Sequence, residues 1–104
     1  MAAMKIADKV TQDEMHTKIK NGRKPVIRVG GTKRPIEERM KEYERKEPST
    51  YNSSRTVFYA DTTSAKMAED NLLELCKGKG QCPENDQEAS NMSEGVKGFV
   101  YMIK

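Results

Sequence analysis

Gly98-Phe99-Val100-Tyr101-Met102-Ile103-Lys104 decides how this chain is read. The apolar residues Phe99 to Ile103 run in succession, too few for a helix of ordinary length, and read as a buried strand. Tyr101 lies in the middle of them, where its hydroxyl needs a hydrogen-bond partner. Two further strands precede it. Pro25 to Val29 carries Val26, Ile27 and Val29, and Gly30-Gly31 is expected to end it in a sharp turn. Arg55-Thr56-Val57-Phe58-Tyr59-Ala60 is the other.

Helices alternate with these strands. Thr11-Gln12-Asp13-Glu14 has capping-box spacing and predicts a helix to about Lys20, stopped by Asn21-Gly22. Met15 and Ile19 share its inner face, and His16 is an exposed neighbour with no chemical role. Pro35 suits the first turn of a second helix, running to about Lys46. There Ile36, Met40 and Tyr43 form one stripe, while Glu37–Lys41 and Glu42–Lys46 pair on the wet side. Thr62, Thr63 or Ser64 caps a third helix that runs to about Lys77. The order α-β-α-β-α-β predicts a small α+β (mixed α/β) domain, a three-stranded sheet flanked by about three helices. Residues 1–24 form an N-terminal helical extension and residues 25–104 the domain proper. Lys77 to Gly95 is polar, and a loop of that length in a small domain demands a reason.

A chain of 104 residues allows one domain with a modest core. Hydrophobic residues make up 35% and charged residues 34%, so the surface and several loops are strongly solvated. No run approaches the length of a membrane span, and Met1 to Val10 lacks the pattern of a secretory signal. The expectation is an intracellular protein, cytoplasmic or nuclear, with Cys76 and Cys82 reduced. The link from Lys77 to Gln81 would let the two close into a disulfide under oxidising conditions. With only His16 besides, they fall short of a zinc tetrad. Asn52-Ser53-Ser54 and Asn91-Met92-Ser93 fit the glycosylation pattern, which has meaning only on secretion.

The net charge of +3 hides an uneven layout. Lys18, Lys20, Arg23, Lys24, Arg28, Lys33 and Arg34 follow one another with no acidic residue between Lys18 and Arg34. From Pro83 to Glu94 the signs reverse, with Glu84, Asp86, Glu88 and Glu94 and no base. The basic segment suits a phosphate-bearing partner, and an ordinary solvated face is the competing reading.

Arg39, Glu69 and Tyr101 break the binary pattern. Arg39 projects beside the apolar stripe of its helix. Glu69 falls within the stripe of Ala65, Leu72 and Cys76, where a carboxylate needs a partner. Each taken singly also fits a structural role: a flanking cation, a boundary carboxylate, an amphipathic core residue.

Together these pieces resemble the GIY-YIG nuclease domain in circularly permuted order. Gly98 to Ile103 looks like its first strand, with Tyr101 at the tyrosine of the first motif. Arg28-Val29-Gly30 looks like the second motif, with Arg28 where the family carries its second tyrosine, and Gly31-Thr32-Lys33-Arg34 as the following turn. Glu38-Arg39-Met40-Lys41-Glu42-Tyr43 is similar to the arginine helix, and Ala65 to Leu73 to the glutamate helix, with Glu69-Asp70-Asn71-Leu72 the most specific match. The long loop would then join the glutamate helix back to the first strand.

The resemblance implies a metal-dependent phosphodiesterase acting on DNA or RNA. Glu69 would hold Mg²⁺ (or Mn²⁺), Arg39 would neutralise charge on the phosphate, and Tyr101 would take a proton from the attacking water. A free phenol has a pKa of about 10, so that role requires a nearby cation to lower it. Lys20, Arg23, Lys24, Arg28, Lys33 and Arg34 would track the nucleic-acid backbone. The alternative is a catalytically degenerate module of the same scaffold, binding nucleic acid or an acidic protein partner, since the second-motif tyrosine is absent. A domain that only contacts proteins is a third reading, with the exposed methionines Met67 and Met92 in its favour.

Overall fold

The computed structural model describes residues 3–85 and 95–104. Asp86, Glu88 and Glu94 of the acidic run, and the Asn91-Met92-Ser93 triplet, lie outside the described residues. The elements run β1 (Lys5–Ile6), α1 (Gln12–Asn21), β2 (Arg28–Thr32), α2 (Ile36–Lys46), β3 (Thr56–Thr62), α3 (Ala65–Gly78) and β4 (Gly98–Ile103). The α+β class and the three helices agree with the sequence reading, but the sheet has four strands, in the order β1-β3-β4-β2. The additional strand, β1, pairs parallel to β3 at its edge. At two residues it is too short to show any period. The caps are those read from the sequence: Thr11 closes its box with Glu14, and Ser64 accepts from the Met67 amide.

β4 runs antiparallel between β2 and β3. Its successive side chains therefore enter opposite layers. Val100 and Met102 face α1 and α3, packing with Met15, Ile19, Ala68, Leu72, Cys76, Val29 and Ala60. Tyr101 and Ile103 face α2, packing with Ile36, Met40, Tyr43, Tyr51, Ile27 and Val57. Val100, Tyr101, Met102 and Ile103 are each buried to within 1%, and burying an aliphatic side chain of this size contributes about 1.5–3 kcal/mol. Residues 4–24 share these cores: Met4 lies in the α2-side cluster, Met15 and Ile19 in the other. The extension is packed structure, continuous with the domain.

Gly30 and Gly31 do not end their strand in a turn, as expected from the sequence. They continue β2, opposite Tyr101 and Val100. Their small size serves the two faces separately. A β-carbon on Gly30 would fall on the phenol end of Tyr101, and one on Gly31 would come within 2.7 Å of the Ala65 carbonyl oxygen at the start of α3. Gly30 thus lets the Tyr101 ring cross β2, and Gly31 lets α3 approach it.

The long polar loop has a structural task in its first part. Cys82 and Glu84 donate backbone N–H groups to the carbonyls of Val26 (2.8 Å) and Ile27 (3.0 Å). The Gln81 side chain accepts from Val26 N–H at 2.8 Å, and the Asn85 amide bridges both backbone groups of Val29. Residues 81–85 form a strap along Val26, Ile27 and Val29 that covers the outer edge of the chain where it enters β2, an edge that would otherwise stand open as a pairing template. Gly30→Ala is expected to destabilise the fold by about 1–3 kcal/mol through overlap with Tyr101, whereas Lys33→Ala, on the exposed turn, is expected to change it by less than about 0.5 kcal/mol; urea denaturation of the two variants checks this.

Candidate functional site

Tyr101 reaches across Gly30 to meet α2. Its hydroxyl and that of Tyr43 lie 2.5 Å apart, and the two rings meet edge to face with centroids at 6.0 Å. Arg39 stands one helical turn before Tyr43, so its guanidinium lies over that ring at 4.5 Å, and Nη2 donates to the Tyr43 hydroxyl at 3.3 Å. Through the Tyr43 hydroxyl it is linked to that of Tyr101. Nη1 of Arg39 and Nη2 of Arg34 converge on one oxygen of Glu42, at 2.7 and 2.6 Å. Two guanidiniums thus share one carboxylate, which leaves this group one positive charge in excess.

Arg28 occupies the position of the missing tyrosine and faces the same layer. Its Nε donates to the Tyr51 hydroxyl at 2.7 Å, and Nη2 to the Glu84 carbonyl at 2.5 Å. The guanidinium carbon lies 5.0 Å from the Tyr43 ring centroid, and Tyr43 and Tyr51 pack at 4.9 Å. Arg28, expected to contact phosphate, is a half-buried residue whose planar fork meets two acceptors at once and joins the tyrosine cluster to the strap.

Of the three residues named for chemistry, the fold brings two together. Arg39 and Tyr101 meet; Glu69 does not join them. Glu69 is a buried residue of α3, next to Ala68, and α3 covers the face that receives Val100 and Met102. Tyr101 points to the opposite face, so the sheet stands between the phenol and the helix that bears the carboxylate. Among the described residues, a divalent cation held by Glu69 would lie with α3, on the face of the sheet opposite the Tyr101 ring. Among the described residues no group of three or more His, Cys, Asp or Glu side chains is placed to hold a metal ion.

The expected lowering of the Tyr101 phenol is reversed. Burial, followed by the neighbouring Tyr43, pushes it well above the usual tyrosine value, and the opposing pull of Arg39 does not cancel this. Only 1% of the residue is exposed. At neutral pH Tyr101 therefore keeps its proton.

The remaining cations divide into two groups at the two ends of β2. Lys33 and Arg34 are exposed just beyond its C-terminal end, beside Arg39. Lys20, Arg23 and Lys24 are exposed before its start, at the end of α1. Lys104 joins this second group, its Nζ donating to the Lys18 carbonyl at 3.3 Å, with its pKa lowered by burial and by Lys18. β2 itself, five residues at about 3.3 Å each, accounts for roughly 16 Å of the separation between the groups. Tyr43 could have been found from its position four after Arg39; Tyr51, in the polar loop after α2, and Lys104, far along the chain, have no local signal.

The cluster predicts opposite responses at the two ends of the pH scale. Hydrogen bonds from Arg34, then Arg39, hold the Glu42 carboxyl down to about 2. Its contribution to stability is present above the unfolded value near 4.5 and is lost as pH falls toward 2. Tyr101, held protonated by the fold, contributes stability that is lost as pH rises above about 10. Thermal melts across pH should show the acid loss disappear in Glu42→Gln, and the 295 nm absorbance of Tyr101 should rise only with unfolding. Arg28→Lys, which keeps the charge but loses the fork, should speed hydrogen exchange at the Cys82 and Glu84 amides and cost about 1–3 kcal/mol.

Comparison with known proteins found no family model, no curated protein and no solved structure that matches this chain.

Proposed function

We propose that this chain is a GIY-YIG-like domain that binds the phosphate backbone of a nucleic acid and does not hydrolyse it. The observation that carries this reading is the sealed Tyr101: its hydroxyl is bonded to Tyr43, and the sheet separates it from the helix carrying Glu69. The resemblance draws support from β4 lying beside β2, with Tyr101 opposite Gly30 and the arginine helix next in the chain. The two cation groups, Lys33–Arg34 with Arg39 and Lys20–Arg23–Lys24 with Lys104, would contact separate phosphates along one backbone. An intracellular setting, cytoplasmic or nuclear, goes with such a partner; no helix among the described residues is long and apolar enough to cross a membrane.

The meeting of Tyr101 and Arg39 favours the second reading, a metal-dependent phosphodiesterase. That reading needs Glu69 on the same side of the sheet as the phenol.

Fluorescence anisotropy with labelled single-stranded and duplex DNA and RNA separates the two, with a polyglutamate peptide standing for an acidic protein. The expected result is binding to nucleic acid that weakens linearly in log salt, with no cleavage in Mg²⁺ or Mn²⁺. On duplex DNA, Lys33→Ala with Arg34→Ala, and separately Lys20→Ala with Arg23→Ala and Lys24→Ala, should each reduce the salt slope by about 0.9 for every phosphate that the variant no longer neutralises. Cleavage that disappears in EDTA and in Glu69→Gln would establish the hydrolase instead. Equal retention of polyglutamate would move the partner to an acidic protein.

A further inference from the structure

Cys76 and Cys82 take no part in phosphate binding, yet the fold places them side by side. Both are free thiols with no exposed surface, in the core between α3 and the sheet. The chain between them folds back on the end of α3, with the Gln81 N–H donating to the Cys76 carbonyl at 2.8 Å. Cys82 then adopts a φ of 62°, left-handed backbone that a residue with a β-carbon enters at a cost. In that conformation its side chain is fully buried, in the same core cluster as Cys76. Lys77 Nζ spans the same turn, donating to the carbonyls of Cys82 at 2.9 Å and Asn85 at 3.3 Å.

We propose that Cys76 and Cys82 form an oxidisable dithiol, which a low-molecular-weight disulfide converts into an intramolecular bond stapling the end of α3 to the strap along β2. The reaction begins when the strap lifts and exposes Cys82, since a thiol without exposed surface is otherwise inert. The Cys82 thiolate attacks one sulfur of RS–SR; that bond breaks, and the departing RS⁻ takes up a proton. Cys76 then gives up its proton and attacks the Cys82 sulfur of the mixed disulfide, displacing the second RS⁻, which is protonated in turn. Two protein thiols lose two electrons and two protons, and RSSR becomes two RSH. Cys82 lies on the strap that lifts and so attacks first, while Cys76, held within α3, is the one that resolves.

The test uses the 104-residue chain, glutathione disulfide, and urea below the unfolding transition to permit lifting of the strap. Remaining thiols are blocked with N-ethylmaleimide, and intact mass, peptide mapping and melting temperature are read. The expected product is a monomer lighter by two hydrogen atoms, unlabelled by maleimide, with Cys76 linked to Cys82. It should melt about 5 °C or more above the reduced chain, because closing this short loop restricts the unfolded state. Maleimide on both cysteines, persistent glutathione adducts, or linked dimers would overturn the proposal. So would an internal bond that leaves the melting temperature unchanged or lowers it.

Discussion

A strand in the middle of a two-sided sheet has no wet face, and β4 is that strand. Everything it projects must be covered by one helical layer or the other, and every polar atom it brings must find a partner inside. Four of its side chains meet this demand by being aliphatic, aromatic or thioether. Tyr101 meets it through Gly30 and Tyr43: the missing side chain on the neighbouring strand opens the way, and a second phenol on α2 satisfies the hydroxyl. The positions of α2, of Arg39 and of the carboxylate that Arg39 shares with Arg34 all follow from where that phenol ends.

The same demand determines what the cluster can do. A tyrosine is a base only when its anion is stabilised, and a single half-buried guanidinium must then outweigh the loss of hydration. At Tyr101 desolvation and a second phenol win, so the residue is a hydrogen-bonded support for the arginines. What stays accessible is cationic: Arg34 and Lys33 at one end of β2, and the lysines and arginine around the end of α1 at the other. Such surfaces act through charge and spacing, which suits a partner carrying regularly spaced anions.

Arg28 and the strap show how an edge is closed in a small sheet. β2 has β4 on one side and would expose a row of amides on the other. Residues 81–85 meet the first part of that row at Val29 and the chain just before it, and Arg28 ties the strap to Tyr51. One side chain thereby couples the edge of the sheet to its interior, and the buried thiols sit where the strap leaves α3. The long segment after α3 thus lies, in its first part, beside the β2 end of the four-stranded sheet.

Periodicity and turn chemistry determined the helices, their caps and three of the four strands, because these depend on residues a few positions apart. The family resemblance placed the last strand beside Val26–Val29; the pairing observed overlaps that segment only in part and runs along Arg28–Thr32. The tertiary structure alone decided which face each polar residue met. Alternation along β4 sent Tyr101 toward α2 while packing sent α3, and Glu69 with it, to the other side, so residues placed together by motif order were divided by the sheet. Gly30 and Gly31 read locally as a turn, but the space they leave is filled by residues about seventy and thirty-five positions away, an arrangement only long-range packing creates. Burial of a phenol, unlike its identity, is a property of everything packed around it, and it fixed Tyr101 as a protonated support in place of a base.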